Sequence, residues 1–338
     1  MRKGLRIQVD GSANSPDELA VFKLLSFVQP LAGISFRHPI EKGIQTLSQE
    51  IMTAVMFPHI KNDRRSVVSI VVLLLLSLGT TAFASQPLTG TPLDDGYRDM
   101  YNLRFSDAHT KFQEWILSHP EDPMGPVSDA AAFLFSEFER LKIIDVQLFA
   151  NQDRFDNRSR LTPDANIRKS FEDRLNQASG LADTALKRNL HDARALYVKT
   201  LVSGMRSDYA LMIEKKDLAA LNYSKEASAY SKQALAINPH MYDAYLASGV
   251  ENYMLSLKFA PVRWLLNLTG ASTSREEGIR LLNLTAAQGY YLAPFARMML
   301  AVAALRENRP QQARSILLDL KREFPQNALY DRQLALIR

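Results

Sequence analysis

The chain has 338 residues, of which 46% are apolar and 23% charged, a balance that excludes a wholly disordered chain and a protein of many membrane spans. It contains no cysteine, so disulfide frameworks, thiolate metal sites and cysteine nucleophiles are excluded. The net charge is +5, but the first 84 residues hold 9 Lys/Arg against 6 Asp/Glu and the remainder 32 against 30, so most of the chain is near neutral and carries no electrostatic argument for nucleic acid.

Residues 1–55 lack convincing periodicity, apart from a short helical pattern at 20–28. They read as a mis-called translational start or a disordered tail, with a cytoplasmic tail as the alternative. Residues 56–84 read as a secretory signal. Lys61, Arg64 and Arg65 form a basic region, Val67 to Leu78 an apolar stretch, and Ala82-Phe83-Ala84 a small-x-small cleavage site. The exported chain is then expected to begin at Ser85. The competing reading is a retained anchor over 66–84, because 19 helical residues span about 28 Å, close to the hydrocarbon core of a bilayer. Export to the periplasm or the outside is expected, with single-pass anchoring as the alternative.

From 85 to 338 the pattern is helix, turn, helix, in a composition rich in Ala, Leu, Arg, Glu and Gln. The most regular stretch is Ala296 to Pro325. Ala301 and Ala313 are small residues at a helix crossing, Asn308 lies at a turn, Leu317 and Leu320 face inward, and Pro325 stops the second helix. Phe105 to Pro120 has the form of a second helix. Ala178, Ala182 and Ala185 mark another, and Ala227, Ala234 and Pro239 a third. Ala244, Tyr245 and Gly249 open the pair after that, and 151–163 is a polar insertion.

This arrangement resembles the tetratricopeptide repeat (TPR). The resemblance implies an all-α solenoid of about five antiparallel helix pairs over 92–325, with a capping helix at 327–338. The stretch 249–282, with Gly249, Pro261, Leu265, Leu266, Gly270 and Ser274-Arg275-Glu276-Glu277-Gly278, is similar to a signature of the TPR family linked to inclusion-body clearance. Geometry, rather than biology, is what that second likeness implies.

Motifs for chemistry are absent from the sequence. The histidines after the leader, His109, His119, His191 and His240, form no H-E-x-x-H pattern and read as polar loop residues. Glu137, Glu139, Glu276 and Glu277 read as solvated helix-face carboxylates. No Walker loop, dinucleotide fingerprint or nucleophile elbow occurs. No catalytic residue, metal ligand or cofactor is therefore assigned. Phe133, Phe135 and Phe138 are expected between neighbouring pairs, with an aromatic binding patch as the alternative. Tyr290 and Tyr291 read as packing residues, and the Asn-x-Ser/Thr sites are given no glycans.

The leading expectation is an exported, non-catalytic scaffold for a protein or peptide partner. In the repeat register its concave face carries Asp243, Leu246, Val250 and Tyr253 in one pair, and Phe295, Met298, Val302 and Leu305 in the next. The alternatives are a helical small-ligand or glycan-binding protein of an uptake system and, further off, a glycan-cleaving enzyme. Membrane contact is expected only through 66–84, if uncleaved.

Overall fold

The structure is a computed structural model and describes residues 88, 90–143, 161–256 and 274–337. The chain divides into two compact units, 1–81 and 82–338, and all described residues belong to the second. The expected tail at 1–55, the leader or anchor at 56–84 and most of the insertion at 151–163 lie outside them. Among the described residues no helix is long and apolar enough to cross a membrane.

Eleven α-helices are present among the described residues. They are α1 (Pro92–Tyr101), α2 (Phe105–Ser118), α3 (Met124–Arg140), α4 (Ala165–Arg188), α5 (Ala193–Met212), α6 (Asp217–Ile237), α7 (Tyr245–Ser256), α8 (Arg275–Gln288), α9 (Ala293–Arg306), α10 (Pro310–Glu323) and α11 (Ala328–Leu336), with a 3₁₀ turn at Tyr242–Ala244 before α7. Helices pack as α1/α2, α3/α4, α5/α6, α7/α8 and α9/α10, each pair stacks on the next, and α11 covers α10. Five pairs and a terminal helix are the TPR-like architecture expected from the sequence.

Local chemistry defines the helix ends. Thr91 and Asp94 form a reciprocal capping box ahead of α1, with Pro92 at the first helical position. Asp164, Asp192, Ser274 and Asn327 accept backbone N–H bonds at the starts of α4, α5, α8 and α11.

Two kinds of corner alternate. At the corners after α2, α4, α6 and α10, the residue ending the helix donates its N–H to the carbonyl four residues back, and its own carbonyl accepts from three residues on. His119, Asn189, Asn238 and Phe324 all do this. Within pairs, each described turn contains one residue at positive φ: Leu103, Lys142, Lys215 or Asn308. The next N–H at three of these reaches five residues back, Arg104 to Asp99, Ile143 to Phe138 and Arg309 to Ala304, which is the Schellman closure. The repeat is thus written in backbone hydrogen bonds as well as in side chains.

Small residues let the paired helices approach. Ala108, Ala178, Ala182, Ala234, Ala301 and Ala313 have no accessible surface. At the α7/α8 crossing a Cβ on Gly278 would stand 2.6 Å from the Tyr253 backbone nitrogen, and one on Gly249 would stand 3.2 Å from Leu282. Only glycine permits the spacing at 278, and the contact at 249 is tight.

Two polar residues differ from their sequence reading. His109 is not a loop residue: it lies on α2 and bonds through Nδ1 to the buried Asp129 of α3. Arg174 of α4 bonds the other Asp129 oxygen at 2.6 Å and Gln113 at 2.6 Å, tying the first two pairs together. Glu137 is not on a solvated face. It is buried, accepts two 2.7 Å bonds from Arg140, and accepts the Asp164 backbone N–H at 2.8 Å, so it fixes the entry to α4. The other three histidines do sit at corners between pairs.

The ends of the stack meet. Tyr97 stacks on Tyr291 with ring centroids 4.3 Å apart, and Tyr101 donates its hydroxyl to the Tyr291 carbonyl at 2.8 Å. Tyr291 in turn donates to Asp94 at 3.1 Å. Asn327 donates from its side chain to the Tyr101 carbonyl at 2.7 Å, and Arg332 of α11 bonds both Glu139 oxygens of α3 at 2.8 Å. The five pairs therefore close on themselves instead of leaving an open superhelical groove. Each helix pair has an apolar inner face that it cannot bury alone, and the tyrosine contacts of α1 supply the missing cover.

Candidate functional site

The inner faces of α1, α3, α5, α7 and α9 converge, with part of α6, on one chamber of about 430 Å³. Six residues singled out from the sequence line it together: Leu246, Val250 and Tyr253 from α7, and Phe295, Met298 and Val302 from α9. Leu246 and Met298 are each 9% exposed, Tyr253 and Val302 are buried, and Val250 and Phe295 are half-buried. The face is covered by α1 and still hollow, an intermediate between an open groove and a filled core.

Two residues of the expected face do not belong to an open surface. Asp243 lies in the 3₁₀ turn, buried, and its carboxylate accepts three backbone N–H bonds from Tyr290, Tyr291 and Leu292 at 2.8, 2.9 and 3.2 Å. It clamps the start of α9 to the start of α7, and burial raises its pKa in spite of those bonds. Its small side chain looked like a groove position because the 3₁₀ turn shifts where helix α7 begins. Leu305 packs against the core, and Arg306 faces the chamber in its stead.

Of the other walls, the sequence offers only Phe135 and Phe138, as the alternative aromatic patch. α1 supplies Tyr97, Met100 and Tyr101; α3 supplies Leu134, Phe135 and Phe138; α5 supplies Leu201, Gly204, Met205 and Asp208. Phe135 meets Phe295 edge-on with centroids 5.7 Å apart, so Phe135 and Phe138 wall the chamber, while Phe133 packs against His109 of α2. Tyr97 receives the Ser128 hydroxyl proton at 3.0 Å, and burial holds its own ionisation far above the ordinary range. Helix periodicity alone would have placed Met205 and Asp208 one turn apart on one face of α5, but nothing in the sequence says which face of so apolar a helix points inward.

The chamber's polar groups are few. Thr200 and Ser207 donate their hydroxyl protons to the carbonyls of Leu196 and Ala220, so those donors are engaged. Asp208 has no hydrogen-bond or ion-pair partner among the described residues. It is half-buried in the wall of the chamber, and burial pushes its carboxyl up to about 7. Glu251 also lines the chamber without a partner among the described residues. The volume falls within the roughly 300–1,000 Å³ usual for small-molecule sites, and the mix of apolar wall and sparse polar groups fits that class.

A second, polar cleft lies between α1 and the corner before α11, lined by Asp95, Arg98, Asp99, Arg104 and Gln326. Its charges satisfy each other: Arg98 pairs with Asp95, and Arg104 with Asp99 and Asp107. Among the described residues no group of three His, Asp or Glu side chains is placed to hold a metal ion.

No family model matches the chain, and no curated protein matches it. Among solved structures it is similar to a thermophilic TPR protein of Thermus thermophilus, at 17% identity and a TM-score of 0.38 over 73% of this chain and 96% of that one.

Proposed function

We propose that residues 85–338 form an exported, non-catalytic binding scaffold whose inner face receives the apolar part of a protein or peptide partner. The observation that carries this reading is the convergence of Leu246, Val250, Tyr253, Phe295, Met298 and Val302, from two different pairs, on one hollow apolar surface. Apolar surface that a fold leaves unfilled is costly in water and marks interaction sites. A few central apolar anchors carry most of the binding energy in such interfaces.

A photo-crosslinking residue at Val250, introduced in the full-length chain in its native cells, tests the proposal. A single discrete protein adduct, lost when Leu246→Asp or Met298→Asp is added, is the expected result. Adducts that ignore both substitutions would defeat it. Export is tested by N-terminal sequencing of the released protein: a start at Ser85 is expected after cleavage behind Ala84, and a start upstream of Lys61 contradicts it.

A second reading is favoured by the cover that α1 lays over the chamber. A space of about 430 Å³ holds a discrete small ligand more readily than a partner helix. Native mass spectrometry of the purified protein separates the two readings: a bound small molecule supports the second, and its absence alongside a protein adduct supports the first.

A further inference from the structure

We propose that the chamber is a binding site for an organic amine, with the protonated nitrogen held at Asp208 and the apolar body lying between α7 and α9. The proposal rests on the small-ligand reading of the chamber.

Asp208 is a liability as a structural residue. It bonds to nothing among the described residues, it faces a largely apolar space, and the hydroxyls of Thr200 and Ser207 are already engaged elsewhere. A carboxylate so placed loses its hydration without compensation. An ammonium within about 4 Å supplies that compensation and favours the ionised form of the acid.

The charge balance of the wall points the same way. Among the described residues of the wall, the carboxylates Asp208, Asp217, Asp243 and Glu251 stand against the guanidinium of Arg306. Asp243 is satisfied by backbone N–H groups and Asp217 is engaged in a contact of its own, so Asp208 and Glu251 are the described acids left to meet a guest. An anionic guest such as a fatty acid would face net repulsion here, and a neutral one would leave Asp208 unpaired.

The walls suit an adaptable apolar body. Met254, Met298 and Met299 are flexible enough to fit different chain shapes. Phe135 and Phe295 present ring surface, which also attracts cations. At Gly204 nothing lies within 4 Å of where a Cβ would be, so α5 contributes open space on its chamber side.

Calorimetric titration of the full-length protein with decylamine, decanol and decanoate at about pH 8, where the amine is charged and the carboxyl can ionise, tests the assignment. Decylamine is expected to bind about tenfold more tightly than decanol, as one charge-assisted hydrogen bond provides, with decanoate weakest. Asp208→Asn should bring decylamine down to the level of decanol and leave decanol unchanged. Gly204→Leu, which fills the chamber, should weaken both.

Decanoate binding as tightly as decylamine would overturn the cationic assignment. An amine preference that survives Asp208→Asn would overturn the role of Asp208. Binding that ignores Gly204→Leu would place the ligand elsewhere. A capped Leu-Leu-Lys-Leu-Leu peptide binding more tightly than decylamine would make the occupant a peptide. If no ten-carbon compound binds, the small-ligand reading itself fails, and the amine site with it.

Discussion

Gly278→Ala and Gly180→Ala form a matched pair with opposite expected outcomes. Both glycines lie inside helices, α8 and α4, so both substitutions gain about 1 kcal/mol from the higher helix propensity of alanine. Only Gly278 sits at a crossing. The added methyl would stand 2.6 Å from the Tyr253 nitrogen and 2.9 Å from its Cα, both backbone atoms. Ordinary carbon contacts begin at about 3.5 Å, so α7 and α8 must part by close to 1 Å. That separation also loosens the approach of Gly249 to Leu282 in the same interface. Overfilling a packed interface costs about 1–3 kcal/mol, which offsets the propensity gain and leaves a net loss of up to about 2 kcal/mol. At Gly180 nothing lies within 4 Å, and the gain stands unopposed. Urea melts followed by circular dichroism should therefore separate the two variants by about 1–3 kcal/mol, the overfilling cost itself. If Gly278→Ala stabilises as much as Gly180→Ala, the close α7/α8 crossing is wrong.

Two further substitutions test other parts of the reasoning. Ala313→Trp places an indole where α10 has no accessible surface, and should lower the thermal midpoint by an amount equivalent to at least about 1–3 kcal/mol; an unchanged midpoint would mean that α9 and α10 do not cross there. Asp208→Asn should change the pH dependence of stability. The folded-state carboxyl titrates near 7 and the unfolded one near its ordinary value, so the native protein loses stability as pH rises through that window, by at most about 4 kcal/mol and less where solvent reaches the chamber. Asparagine should match the parent near pH 4 and exceed it near pH 8, the remaining carboxylates being common to both; an equal difference at both pH values would contradict a raised Asp208 pKa.

The sequence carried the repeat because the repeat is a packing problem. Ala301, Ala313, Leu317 and Leu320 are forced to be small or apolar by the crossing, and those constraints recur in every pair. Asn308 was readable as a turn because asparagine tolerates positive φ, whereas Leu103, Lys142 and Lys215 adopt the same conformation with nothing in their chemistry to announce it. The buried roles of His109 and Glu137 escaped for a related reason. A helix surface residue and an inter-pair ligand have the same local sequence, and only the arrival of Asp129 and Arg174, or of the Asp164 amide, distinguishes them. The closing helix α1 was equally hidden: Tyr97 and Tyr101 find Tyr291 from 190 or more positions away, and no periodicity encodes that distance.

Closure also explains why the candidate site was half-visible. In an open array each inner face is judged by its own register, and that register does place Leu246, Val250, Phe295 and Met298 inward. Once α1 covers part of the face, two further requirements decide what the hollow can hold, and neither is a repeat property. One is the spacing between α7 and α9, which the Asp243 clamp on residues 290–292 sets from a single carboxylate. The other is the polarity of α5, where every repeat constraint would be met by an apolar residue at 208 and an acid stands instead. Solenoid packing tolerates wide variation on its inner side chains because each pair depends mainly on its neighbours. Specificity is therefore expected at the positions that break the repeat pattern, and in the described structure Asp208 is the clearest of these.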